Sequence, residues 1–363
     1  MTITHAPAPA PEAHAALPLD APDHERVLIT RGPRSGLTII VAVHSTALGQ
    51  ALGGARVWQY PHWTDALADA LRLSQAMTLK NAAAGLARGG GKSVVCIPAG
   101  ETLDEARRHD AMLDLGDAVE SLGGAYMTAE DVGTSAELMA VVHERTEHVC
   151  GLPAEQGGVG EPADATAAGV HAGILATLEH VTGSRDVAGR HFVIAGLGQV
   201  GGRLARALAA GGARLTVTDV FEGKRALADE LGATWVDAAD AHRVEADVFV
   251  PCGLGGVLTP EVVRELRVRA VVGAANNQLA SREVAELLRE RGIAWAPDFV
   301  VNAGGVVYLD LASTPGIGQD ELDARIAGIG DTVGAVLREA DATGSTTLEA
   351  AERLATARLD AAR

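Results

Sequence analysis

A chain of 363 residues with a net charge of −17 excludes several classes of function at once. Nucleic acids and anionic membrane surfaces are held by clustered lysine and arginine, so neither is an expected partner. The length exceeds what one hydrophobic core usually supports and predicts two domains. With 47% hydrophobic residues and only 3% aromatic ones, small aliphatic side chains must fill their cores.

Residues 1–24 contain alternating Ala-Pro at 6–11 and no lysine or arginine, and read as a disordered, solvated tail, not a secretory signal. Leu37–His44 is a compact, β-branched run and predicts a strand. Residues 64–78 set Leu67, Leu71 and Ser74 at helical spacing behind Thr64 as a cap. Gly85–Gly91 reads as a glycine-rich turn, and Ser93–Ile97 as a second strand. An amphipathic helix is expected over 104–121, closed by Gly123 and Gly124, with an acidic loop at 128–134. Four glycines and two prolines within 151–162 mark a hinge. Beyond it, strand-like runs at 191–197, 214–219, 247–251 and 270–274 alternate with helical segments, the pattern of a doubly wound parallel sheet. Residues 319–360 are helical by pattern, and their return to the first domain would make that domain discontinuous. No apolar run reaches membrane-spanning length, and a cytoplasmic location is expected.

The run from His191 ends in Gly196-Leu197-Gly198-Gln199-Val200-Gly201, a Gly-x-Gly-x-x-Gly turn between a strand and a helix. The first two glycines allow a tight turn and close approach of a pyrophosphate, and the third lets the helix pack on the strand. The next strand ends at Asp219, a carboxylate suited to the ribose hydroxyls of NAD and repulsive to the extra phosphate of NADP. Lys224 and Arg225 nearby keep NADP in play. The expected fold is therefore α/β with two domains and a cleft between them. Residues 25–150 with about 325–363 form a discontinuous α/β substrate domain, and 151–324 a Rossmann NAD domain.

Other motifs are weaker. Gly89-Gly90-Gly91-Lys92-Ser93 looks like the end of a P-loop, but Leu86 stands where that loop needs glycine. Neither the histidines nor Cys96, Cys150 and Cys252 have metal-ligand spacing, so no metal is expected, and the thiols fit a reducing compartment. Lys80 and Lys92 each sit among alanines and glycines. Two lysines in one pocket would depress each other's pKa, as burial would, leaving one as a base and the other as a carboxylate anchor. Spacing alone favours the plainer readings, two surface lysines beside a turn and Asp131 as a turn or cap residue.

Several blocks in order carry a family resemblance: Leu52-Gly53-Gly54-Ala55-Arg56, Met77-Thr78-Leu79-Lys80-Asn81-Ala82, Gly89-Gly90-Gly91-Lys92, Thr128-Ala129-Glu130-Asp131-Val132-Gly133-Thr134, Pro251-Cys252-Gly253-Leu254-Gly255, Gly273-Ala274-Ala275-Asn276-Asn277-Gln278 and Ala296-Pro297-Asp298 through Val306. Over roughly 25–360 the chain resembles the Glu/Leu/Phe/Val dehydrogenases. The resemblance implies NAD-linked, reversible oxidative deamination of an L-amino acid to a 2-oxo acid and ammonia. It implies Lys80 on the substrate carboxylate, Lys92 as the base that activates water, Asp131 as the proton carrier, and Asn276 positioning substrate beside the nicotinamide. Gly53 would join the substrate site and Ala274 the cofactor site. It also implies a homodimer or homo-octamer.

Glutamate-specific relatives hold the side-chain carboxylate with a lysine and a serine where Leu52 and Leu309 stand here. A buried carboxylate without a partner costs several kcal/mol, so rejection of glutamate is expected. Leu52, Ala129 and Val306 resemble branched-chain enzymes and point to valine or leucine, whereas Leu309 resembles phenylalanine dehydrogenases. Gln50, 158–166, 307–311 and 313–315 depart from the family pattern. Competing readings are a hydroxy-acid dehydrogenase, which would want a histidine or arginine in place of the two lysines, and a catalytically degenerate NAD-binding paralogue.

Overall fold

The computed structural model describes residues 23–362 apart from 160, 313 and 315. The expected tail up to residue 22, and Gly160, Ser313 and Pro315 of two atypical segments, lie outside the described residues.

The first sheet contains β1 (Arg26–Arg31), β2 (Thr38–Ser45), β3 (Ala51–Tyr60), β4 (Gly89–Pro98) and β5 (Tyr126–Glu130), in the spatial order β1-β2-β4-β3-β5. β2 pairs antiparallel with both β1 and β4, and β3 pairs parallel with β4 and β5. Helices α1 (Trp63–Ala83) and α2 (Glu105–Glu120) cover its two faces. This explains the continuous apolar run of β2. Ile39, Val41 and Val43 pack with Met112 and Leu115 of α2, and Ile40 and Ala42 with Ala66 and Ala70 of α1. α3 (Ala136–His143) follows β5 and packs on α2.

The structure corrects the sequence reading at several points here. α1 runs past residue 78 to Ala83, and its N-cap is His62, with Thr64 inside the first turn. Gly89–Gly91 make no turn; they open β4, which is buried from Gly89 to Ile97. A Cβ at Gly90 would overlap the Thr78 backbone, and one at Gly91 would lie 2.5 Å from the Tyr126 ring. These glycines permit close packing of α1 and β5 on β4, not chain reversal. Thr128–Glu130 belong to β5, so the acidic loop begins at Asp131. β1 and β3 have no counterpart in the sequence reading, because β1 mixes charge with apolar residues and β3 contains Gly53-Gly54.

After a segment containing Gly151 and Gly157, both at positive φ, α4 (Ala163–Thr182) leads into the second sheet. Its strands β6 (His191–Ala195), β7 (Arg214–Thr218), β8 (Thr234–Trp235), β9 (Val248–Pro251), β10 (Ala270–Val271) and β11 (Ala294–Trp295) are wholly parallel, in the order β11-β10-β9-β6-β7-β8. Helices α5 (Gln199–Ala210), α6 (Arg225–Glu230), α7 (Pro260–Glu265) and α8 (Glu283–Glu290) lie along the connections. The winding reverses between β6 and β9, which opens a crevice at their carboxyl ends.

α9 (Asp298–Val301) and α10 (Gly304–Leu311) then carry the chain back toward the first sheet. α11 (Gln319–Thr343) lies along α4; the chain breaks at Gly344, with φ +66°, and α12 (Thr347–Asp360) packs on α1. Ala350, Ala351 and Ala355 meet Ala82 and Ala83 there, and Arg358 donates to the carbonyls of Ala82 and Ala83 at 2.7 and 2.6 Å. Alanine against alanine is the close helix contact that an aromatic-poor core allows. No helix among the described residues is long and apolar enough to cross a membrane.

Candidate functional site

A cavity of about 560 Å³ separates the two sheets. It gathers Leu52, Gly53, Lys80, Lys92, Ala129, Asp131, Ala274, Asn276, Val306 and Leu309, residues picked out in the sequence, with Val200 from the nucleotide turn. α1 contributes because Leu73, Met77 and Lys80 recur at helical spacing on one face, while Ser74, Thr78 and Asn81 are buried on another.

Lys92 on β4 is 5% exposed, and its Nζ lies 2.8 Å from Asp131 Oδ2. Arg56 Nε on β3 donates to the same oxygen at 3.0 Å. The Asp131 backbone is fixed in turn: its N–H donates to Thr134 Oγ1 at 2.8 Å, and that hydroxyl lies 3.0 Å from the Ala55 carbonyl. A Cβ at Gly54 would lie 2.7 Å from Asp131 Cβ and 3.3 Å from Lys92 Nζ, so glycine leaves room for the pair.

Burial is the main force lowering the Lys92 pKa; Asp131 opposes it and Arg56 adds to it. Burial also takes Lys80 down to about 8, opposed by Asp298 and assisted by Lys92. Mutual repulsion of the lysines is thus secondary to desolvation, and the cation acting most on Lys92 is Arg56. Burial raises the Asp131 carboxyl, but Lys92 and Arg56 outweigh it and hold it at about 2. The pair shares one charge balance: when Lys92 loses its proton, Asp131 loses its nearest cation and becomes more basic. Among the described residues, no ion pair or hydrogen bond engages the Lys80 ammonium directly, which leaves it available to an anion in the cavity.

Asn302 Nδ2 donates to Asn276 Oδ1 at 2.7 Å and to the Ala274 carbonyl at 3.1 Å. The Asn276 amide is thereby oriented with its NH₂ free to donate. Asn302 Oδ1 is buried without a partner among the described residues, a polar atom that a bound molecule can satisfy. Leu52 and Leu309, both buried, line the cavity together with Met77 and Val306 as its apolar part, with Glu130 also in the lining.

Gly196, Gly198, Leu197, Gln199, Gly201 and Asp219 lie apart from this cavity, around the turn between β6 and α5. Gly196 has φ +107°, and a Cβ at Gly201 would overlap the Gly196 carbonyl. A Cβ at Gly198 would meet no atom within 4 Å, so the backbone at the α5 N-terminus is open to a phosphate. Asp219 accepts from the N–H of Leu197 at 2.6 Å and of Phe221 at 2.9 Å, which ties its carboxylate to the turn. Val220 and Leu254, 80% and 81% exposed, follow the carboxyl ends of β7 and β9. These features fit a dinucleotide.

Arg56, Asp298 and Asn302 were given no role from sequence, although each falls in a quoted block. Their signal was present as charged or amide residues in small-residue stretches, but only packing shows which polar groups they meet. Among the described residues no group of three or more His, Cys, Asp or Glu is arranged to hold a metal ion. Cys96, Cys150 and Cys252 are free, and burial pushes their thiols up to about 11, 12 and 12.

A family model described as Glu/Leu/Phe/Val dehydrogenase, dimerisation domain, matches residues 24–148, and one described as Glutamate/Leucine/Phenylalanine/Valine dehydrogenase matches 221–363. Leucine dehydrogenase of Geobacillus stearothermophilus is 39% identical over 343 residues, covering 94% of this chain and 92% of its own. Valine dehydrogenase of Streptomyces albus is 41% identical over 360 residues, 98% of each chain. Among solved structures, L-tryptophan dehydrogenase from Nostoc punctiforme superposes with a TM-score of 0.80 at 33% identity, covering 93% of this chain and 96% of that one.

Proposed function

The chain belongs to the Glu/Leu/Phe/Val dehydrogenase family, and from that premise we propose that it deaminates a branched-chain L-amino acid, valine or leucine, oxidatively and reversibly with NAD. It is an amino-acid dehydrogenase, an oxidoreductase acting on CH–NH₂. The observation that carries the finer reading is the pair of buried Lys92 with Asp131 in a cavity that also holds a free Lys80 ammonium and the apolar side chains of Leu52, Met77, Val306 and Leu309.

NAD, when bound along the Gly196–Gly201 turn, supplies the oxidant that removes the hydrogen and electron pair from the substrate Cα. Asp219 would hold the ribose hydroxyls. Arg225 lies 5.0 Å over the Trp235 ring and pairs with Glu222, so it is already engaged, which favours NAD over NADP. Lys80 holds the substrate α-carboxylate, and the Asn276 NH₂ orients the substrate. Neutral Lys92 takes a proton from water as the water attacks the imino carbon. Asp131 takes and returns protons at the amino nitrogen, helped by its rising basicity as Lys92 deprotonates. Leu52, Gly53, Ala129, Val306 and Leu309 surround the side chain and offer no cation, so glutamate is rejected. Glu130, which lines the same cavity, places a carboxylate there and adds no cation for an acidic side chain.

An aromatic substrate, phenylalanine first, is the second reading; likeness to the tryptophan dehydrogenase favours it. Residues 25–150 with about 325–363 would form the substrate-binding and oligomerising unit, and 151–324 the NAD unit, in a cytoplasmic homodimer or homo-octamer. The test is oxidation of valine, leucine, phenylalanine and glutamate with NAD and with NADP. NAD reduction by valine or leucine above phenylalanine, with glutamate silent, is expected; NAD binding without turnover on any amino acid would identify a degenerate paralogue.

A further inference from the structure

The Lys92–Asp131 pair does not stand alone. Arg56 Nε shares Asp131 Oδ2 with Lys92, and Arg56 Nη1 donates to Asp69 Oδ2 at 2.9 Å. Asp69 in turn accepts from Tyr60 Oη at 2.7 Å and from Arg72 Nη2 at 2.7 Å. The side chains of Lys92, Asp131, Arg56 and Asp69 are 6, 23, 21 and 16% exposed, so solvent screens this row weakly. β3 supplies Arg56 and Tyr60, α1 supplies Asp69 and Arg72, and the loop after β5 supplies Asp131.

We propose that Arg56 is a positioning residue of the reaction: it holds the Asp131 carboxylate in place and keeps a second positive charge beside the Lys92 amine while that amine works as a base. The inference rests on Lys92 being the base. Arg56 reaches the chemistry only through Asp131 and through its field. Its planar fork spans two carboxylates at once, Asp131 by Nε and Asp69 by Nη1, a geometry suited to arginine. Asp69 and Tyr60 fix the fork, and the Asp69 anion partly offsets its field at Lys92.

The groups bearing on Lys92 are Asp131 after β5, Arg56 on β3, and Asp69 and Lys80 on α1; β2 presents neutral Ala42 opposite it. The signs follow from Coulomb's law. The base must be unprotonated, so kcat/KM for deamination rises with pH as Lys92 titrates. Arg56→Gln removes a cation, favours protonated Lys92 and moves the rising limb to higher pH. Asp69→Asn removes an anion and moves it to lower pH. Arg56→Lys keeps the charge, and its limb stays near wild type.

The experiment is kcat/KM against pH for the three variants in the full chain with NAD. The expected result for Arg56→Gln is about a tenfold loss near neutral pH that recovers at alkaline pH, with the opposite displacement for Asp69→Asn. Even losses at every pH, or displacement of both limbs in the same direction, would overturn the proposal by reducing Arg56 to a packing element. Should Arg56→Gln not fold, Asp69→Asn decides alone: a limb displaced to lower pH supports the proposal and an unmoved limb overturns it. Lys92→Ala separates the two assignments. If it keeps turnover and a rising limb, the base assignment fails and this inference with it; if it is silent while the Arg56→Gln limb is unmoved, only this inference fails.

Discussion

The nucleotide turn and the two-lysine cavity are built in opposite ways. The turn is local: Gly196–Gly201 and the Asp219 that ties it down lie within one strand-helix-strand unit. The cavity draws on β3, α1, β4, β5 and α10, and its central pair joins residues 39 apart in sequence. A local device depends on a few backbone angles, and a packed one on every element that presses on it. The first should therefore lose affinity when altered, and the second should lose turnover.

Lys92→Ala gives the largest expected effect, a fall in kcat of about a thousandfold with NADH affinity unchanged by fluorescence titration; equal losses in both would erase the distinction between the regions. Gly54→Ala comes next. Its Cβ would press on Asp131 and crowd Lys92, and a misplaced pair should cost about a hundredfold in kcat, measured beside thermal unfolding to confirm folding.

Leu52→Lys sharpens the account of the apolar part of the cavity. Activity with glutamate should rise by about tenfold or more relative to leucine, and no gain would place the substrate side chain elsewhere. Asp219→Ala should raise the NADH Kd by about tenfold and leave kcat at saturating cofactor nearly intact. Gly157→Pro is the mildest. Its φ of +79° is closed to proline, and a few-fold change in turnover, about threefold, is expected if 151–162 is the hinge; unchanged turnover would place the hinge elsewhere.

The same contrast governs what could be read in advance. The alternation of strands and helices after residue 190, the glycine turn and Asp219 were legible because each is a short-range pattern. The first sheet was only half legible. β2 announced itself by a continuous apolar run, but β3 was hidden by Gly53-Gly54, and Gly89–Gly91 passed for a turn because a glycine that admits a neighbouring helix looks the same in sequence as one that reverses the chain. Lys80, Lys92 and Asp131 stood out through their blocks, not through spacing. Arg56 and Asp298 had no readable role, since what they do depends on which carboxylate or ammonium packing places beside them.

The most direct test of the central claim is NADH consumption with ammonium and a panel of 2-oxo acids: 2-oxoisovalerate, 2-oxoisocaproate, phenylpyruvate and 2-oxoglutarate. Strong turnover with the two branched-chain acids, less with phenylpyruvate and none with 2-oxoglutarate is the predicted result. Activity confined to 2-oxoglutarate would contradict it, because no cation at Leu52 or Leu309 would then explain the second carboxylate.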